Sequence, residues 1–172
     1  MIKIALSGWM LSGKTTVANY LDDHYDFECY SFADELKGNL ASVGIDPDRL
    51  YSAKDETVRR LMQVYGEAIR EQDMDYWVDI VLDSISVLET MGGEAVVIDD
   101  LRFPNEFDKL KDSGFITVRV VNDSLAQVNF DISETALNDY ALDGKFDYTI
   151  CARDGDLRHL FEQVDDIMGE LL

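Results

Sequence analysis

Apolar residues along this chain recur in two distinct rhythms. Short apolar runs at 2–7, 27–32, 95–98, 115–121 and 148–152 have the length and β-branched content of buried strands. Between them lie longer segments in which apolar positions return every three or four residues. Over 56–71 these are Val58, Leu61, Met62, Tyr65, Ala68 and Ile69; over 76–91 they are Trp77, Ile80, Val81, Ile85 and Leu88, with Gly92 and Gly93 as the stop. Further helices are predicted over 14–23, 33–43, 105–113 and 156–171, and Asp46, Pro47 and Asp48 open a helical turn. Strand and helix alternate from end to end. That order predicts an α/β architecture of three layers, a parallel sheet of about five strands with helices on both faces. The interval 122–145 is polar and irregular, with a helical piece near 135–142, and reads as a lid insertion in a single domain spanning 1–172.

Composition narrows the picture. With 172 residues and 47% hydrophobic content the chain can bury one full core. It shows no repeat and no apolar stretch of the ~20 residues a membrane span needs. The first strand begins at once, without the layout of a secretory leader, so a cytoplasmic protein is expected. Cys29 and Cys151 lie far apart in apolar surroundings and are expected to be reduced core residues, and two histidines without a cysteine cluster argue against zinc. The formal charge of -20, with 24 Asp and 11 Glu against 15 Lys and Arg, repels nucleic acid and forms a solvated face. Basic residues are scarce enough that each one near a phosphate site becomes a candidate ligand.

One such site is visible. Gly8-Trp9-Met10-Leu11-Ser12-Gly13-Lys14-Thr15-Thr16 fits G-x-x-x-x-G-K-[ST] and stands between a strand and a helix. In this pattern Gly8 and Gly13 allow the tight turn that points backbone amides at phosphate oxygens, Lys14 reaches the β- and γ-phosphates, and the Thr15 hydroxyl ligates Mg²⁺. The expected class is therefore a P-loop NTPase fold, with Gly8, Ser12, Gly13, Lys14, Thr15 and Thr16 holding ATP. The run 95–98 ends in Asp99 and Asp100, carboxylates at the end of a central strand, where open α/β sheets bind ligands; both qualify for the metal. Arg102 follows within reach of a phosphate over the strand ends. Arg59, Arg60 and Arg70 share the 56–71 helix; for Arg59 and Arg60 the expectation is helix-surface salt bridging. No Ser-His-Asp or Cys-His arrangement is evident, as suits a kinase whose acceptor phosphate is already anionic.

Specific blocks go further than the loop. Ser31-Phe32-Ala33-Asp34-Glu35-Leu36-Lys37, Gln63-Val64-Tyr65-Gly66-Glu67 leading to Arg70, Asp75-Tyr76-Trp77, Val97-Ile98-Asp99-Asp100-Leu101-Arg102-Phe103-Pro104-Asn105-Glu106, Ser133-Glu134 and Asp147-Tyr148-Thr149-Ile150 run over nearly the whole length. By these the chain resembles the phage-type deoxynucleoside monophosphate kinases, a branch of the adenylate-kinase-like P-loop kinases. The resemblance implies transfer of the ATP γ-phosphoryl group to a 5′-monophosphate, with Phe32, Asp34, Lys37, Arg70, Trp77, Arg102 and Glu106 around the acceptor. It implies Lys14, Asp99, Arg102 and Arg70 in the chemistry, Arg153 on the donor, and Thr15, Asp99 and Asp100 at Mg²⁺. Aromatic faces hold a base and arginines its phosphate, although Phe32 and Trp77 also stand at periodic positions that suit core residues. The implied partners are small-molecule nucleotides, with a homodimer allowed and nucleic acid disfavoured, and the implied location is the host cytoplasm if the chain is phage-encoded.

Three positions depart from the family pattern: Glu67 replaces a threonine after Gly66, Asp131 replaces a histidine two residues before Ser133, and Ala152-Arg153 stands where an asparagine often ends the last strand. The interval 122–145 contains no arginine, leaving Arg119 and Arg153 as the nearest candidates for charge over the transferred group. Two rival readings remain at this stage. One is a kinase of hydroxymethylated pyrimidines in phage DNA, with Asp34 or Asp99 as base, which the charge of -20 opposes. The other is a nucleotide-dependent switch without turnover.

Overall fold

The structure is a computed structural model and describes residues 1–52, 56–122, 124, 135–153 and 155–172. Among these residues the elements are β1 (Ile2–Ser7), α1 (Lys14–Tyr25), β2 (Glu28–Tyr30), α2 (Phe32–Ser42), α3 (Pro47–Leu50), α4 (Glu56–Gln72), α5 (Tyr76–Thr90), β3 (Ala95–Leu101), α6 (Pro104–Asp112), β4 (Ile116–Asn122), α7 (Asn138–Leu142), β5 (Tyr148–Ala152) and α8 (Leu157–Leu171). The five strands form one parallel sheet in the order β2-β3-β1-β4-β5. β1 is central, between β3 and β4; the chain leaves it through α1 for the edge strand β2 on one side, whereas β3 connects through α6 to β4 on the other side. The loop after β1 therefore opens at the switch point where α/β sheets form their ligand crevice.

Period-two alternation divides the core. Ile4 and Leu6 of β1 and Ala95 and Val97 of β3 face α1 and α8, where Val17, Leu21, Leu160 and Val164 meet them. Ala5, Val96 and Ile98 face the opposite way, toward Leu36, Leu40, Trp77, Val81 and Phe107. Strands buried on both faces must be apolar at every position, which is why they read as continuous runs. Each large aliphatic side chain so buried stabilises the fold by about 1.5–3 kcal/mol.

Two boundaries differ from the sequence reading. The second strand shrinks to Glu28–Tyr30 because Ser31 caps α2, its Oγ accepting from the Asp34 amide at 3.0 Å, so Phe32 enters the helix. β3 continues through Leu101, its register against β1 shifting between Ile98 and Leu101, so Asp99 and Asp100 lie within the strand. The expectation of two core cysteines is also corrected. Cys29 is exposed on edge strand β2 and Cys151 is half-buried on β5, both as free thiols. The Cys29 Sγ nonetheless tucks against Ala18 O at 3.8 Å, and desolvation, with Asp22 and Asp99 nearby, pushes its thiol up to about 11.

Candidate active site

The donor cradle is built from backbone. Gly8 approaches β4 so closely that a Cβ there would collide with Val120 O, and Gly13 turns into α1 with φ +106. No side chain caps the N-terminus of α1, so its first amides point into the loop. Lys14 Nζ donates to Gly8 O at 2.7 Å and Trp9 O at 2.9 Å, folding the ammonium over the cradle. Ser12 Oγ is buried without a hydrogen-bond partner. A buried hydroxyl left this way is costly unless a ligand or water meets it. These features fit a nucleotide polyphosphate.

Beside the cradle, Thr15 Oγ1 donates to Asp99 Oδ2 at 3.2 Å. Asp100, the next residue, faces the other way, and its two oxygens accept from the amides of Phe32 (2.9 Å) and Ala33 (3.0 Å) at the start of α2. Burial is the main force raising both carboxyls; Asp100, with Asp99 beside it, reaches about 6. The two acids expected at the metal thus differ in surroundings: Asp99 and Thr15 form an oxygen pair beside the Gly8–Thr15 loop, whereas the Asp100 oxygens accept from the first amides of α2.

Across the sheet end, α6 begins at Pro104 and Glu106 reaches back over its first turn. Glu106 Oε2 accepts from the amides of Arg102 and Phe103, each at 3.0 Å, and Oε1 accepts from Arg70 Nη2 at 3.4 Å. The Arg70 guanidinium lies 4.3 Å from the Phe103 ring centroid. Glu106 is only 2% exposed, and burial lifts its carboxyl to about 7 despite those donors. Its contacts here are to Arg70 and to the Arg102 and Phe103 backbone. Lys37 pairs with Asp34 at 2.8 Å and stands over the Tyr51 ring.

The aromatic expectations change most. Trp77 is 1% exposed, its Nε1 donates to Gly66 O at 3.3 Å, and Tyr65 and Tyr76 meet it edge-on. Phe32 is similarly buried in the same cluster. Both are core side chains that set the distance between α2, α4 and α5, not exposed faces for a base. Arg119, expected over the transferred group, is buried beneath the loop, where Nη1 donates to Ser7 Oγ and Nη2 to Asn138 Oδ1, both at 2.9 Å. Arg153 is exposed just past Ala152, whose Cβ would lie 3.6 Å from any Cβ at Gly13. Ser133, Glu134 and the rest of 123 and 125–134 in the expected lid lie outside the described residues.

Two features escaped the sequence reading. Arg59, assigned to surface salt bridging, places Nη2 3.6 Å from Met10 Sδ at the loop tip. Trp9 Nε1 donates to Asn138 Oδ1 at 3.2 Å. A lone arginine inside the apolar run 115–121 was the available sign of a buried polar link, but its partners are distant in sequence.

The family model described as deoxynucleotide monophosphate kinase matches residues 45–164. A protein of Acanthamoeba polyphaga mimivirus named as a deoxynucleotide monophosphate kinase is 27% identical over 159 residues, covering 80% of this chain and 82% of that one. Among solved structures, shikimate kinase from Aquifex aeolicus superposes with a TM-score of 0.53 at 17% identity, covering 99% of this chain and 98% of the other. Dephospho-CoA kinase from Campylobacter jejuni gives 0.53 at 11% identity, covering 97% and 96%. At these identities the two structures speak for the fold.

Proposed function

This chain belongs to the deoxynucleotide monophosphate kinase family and is a phosphotransferase acting on nucleotides, and on that premise we propose how its residues divide the work. ATP is the donor: the amides opening α1 hold its phosphates, and Lys14 leaves Gly8 O and Trp9 O to follow the β- and γ-phosphates. Thr15 and Asp99 are the ligands that would hold Mg²⁺, which supplies charge neutralisation on the donor phosphates. Arg70 and Arg102 receive the 5′-phosphate of the acceptor, and Arg59 adds charge at the loop tip. Lys37 and Asp34 stand at the acceptor side as an adjustable pair.

The observation that carries this reading is the Thr15–Asp99 contact beside the Gly8–Lys14 loop, facing the Arg70–Glu106–Arg102 group at the same sheet end. No described helix is long and apolar enough to cross a membrane. The test is ADP formation from ATP with dAMP, dGMP, dCMP, dTMP and 5-hydroxymethyl-dUMP, alongside a hydroxymethyluracil-containing duplex. Stimulation by at least one free monophosphate is expected. Stimulation by duplex alone, or ATP binding with no stimulation, would overturn the assignment.

A further inference from the structure

We propose that Asn138, at the start of α7, is a positioning residue that fixes the donor cradle from outside it. The inference rests on the reading of the Gly8–Thr15 loop as the ATP site. A single side-chain oxygen, Asn138 Oδ1, accepts from Trp9 Nε1 at 3.2 Å and from Arg119 Nη2 at 2.9 Å. The same guanidinium donates through Nη1 to Ser7 Oγ. Ser7 and Trp9 are the residues on either side of Gly8, so Asn138 grips the loop's first glycine from both flanks.

What is gripped matters chemically. Gly8 and Trp9 supply the two carbonyls on which the Lys14 ammonium rests. When phosphate arrives, that ammonium transfers its hydrogen bonds, and the two peptide planes lose the charge that oriented them. The Asn138 tie keeps the planes, and the amides beyond them, aimed during this exchange. The far side of the tie is itself firm: Leu137 is 2% exposed, Tyr140 Oη donates to Asp108 at 3.1 Å, and the Tyr140 ring packs edge-on against Phe107. Arg119, 6% exposed, is costly to bury unless its donors are met, and Asn138 meets one of them.

Asn138→Leu keeps the branched shape and heavy-atom count of the side chain and removes the acceptor. Equilibrium titration with ATP, which needs neither acceptor nor turnover, is expected to show affinity weakened by about tenfold or more, while KM for the monophosphate stays within about twofold. Asn138→Asp, whose carboxylate accepts from both donors, is expected to restore ATP affinity to within about threefold of the parent. In a double-mutant cycle, Trp9→Phe should weaken ATP binding less than Asn138→Leu, and the double variant should be no worse than Asn138→Leu alone. Unchanged ATP affinity with a lowered melting temperature, an equal loss toward both substrates, or strict additivity would each overturn the proposal. Should Asn138→Leu not fold, Trp9→Phe and Asn138→Asp decide it: a Trp9→Phe affinity equal to the parent's, or an Asn138→Asp affinity tenfold weaker, overturns it. A parent that binds no ATP would instead refute the underlying reading.

Discussion

The two halves of the site are made by opposite means. The proposed donor half is a single contiguous loop that presents backbone amides and one lysine. The proposed acceptor half is assembled from side chains on α2, α4 and α6: Arg70 of α4 is ion-paired to Glu106 of α6 across 36 residues, and Lys37 pairs with Asp34 within α2. A backbone site depends on loop shape, which two glycines and a close approach to Val120 enforce. A side-chain site depends on tertiary packing, and so on residues such as Trp77 and Glu106 that need touch no ligand. The donor half should therefore be sensitive to few substitutions, each severe, and the acceptor half to many, graded ones.

The largest effect is expected from Lys14→Ala, which removes the only side-chain cation of the Gly8–Thr15 loop. Phosphoryl transfer should fall by about three orders of magnitude or more in coupled ADP assays, with melting temperature nearly unchanged. Next is Arg70→Ala. It deletes the proposed phosphate ligand and removes the ion-pair partner of Glu106, so kcat/KM for the monophosphate should drop on the order of a hundredfold while ATP affinity holds. A comparable loss of ATP binding would merge the two halves and break the contrast.

The smallest effect is one of pH. Glu106 has its carboxyl raised by burial to about 7 from 4.5, so the native state binds its proton more tightly than the unfolded chain. Its contribution to stability is full below about pH 4.5 and is lost as pH rises through about 7. Chemical denaturation of the parent should show that decline, and Glu106→Gln, whose side-chain oxygen still accepts from the Arg102 and Phe103 amides, should flatten it. An unchanged pH profile would assign the slope to Asp100, whose carboxyl is raised in the same direction to about 6.

The same contrast explains what was legible from sequence. The sheet was readable because strands buried on both faces are apolar throughout, and the loop because its chemistry is local. The roles of Asp99 and Asp100 were not separable until the strand was seen to run through both. Successive strand residues then point to opposite faces, Asp99 with Val97 toward α1 and Asp100 with Ile98 toward α2. Trp77 and Phe32 carry aromatic chemistry and helical periodicity at once, and only burial decides between base and core. Arg59 and Asn138 escaped because a helix surface position says nothing of what stands opposite it. Their partners, Met10 and Trp9, belong to the loop itself.

The central place of β1 has a consequence for how the chain reaches this form. Its first residues pair in register with Ala95 of β3, and Ile4 pairs with Ile116 of β4. A polypeptide emerging from the ribosome therefore carries an apolar strand with neither neighbour yet made. Closing that distance costs loop entropy before any contact rewards it, so the rate of folding should be governed by capture of β1 between its two late partners. Until β4 is synthesised, the segment that will hold the nucleotide is the part of the nascent chain most exposed to aggregation and to chaperones.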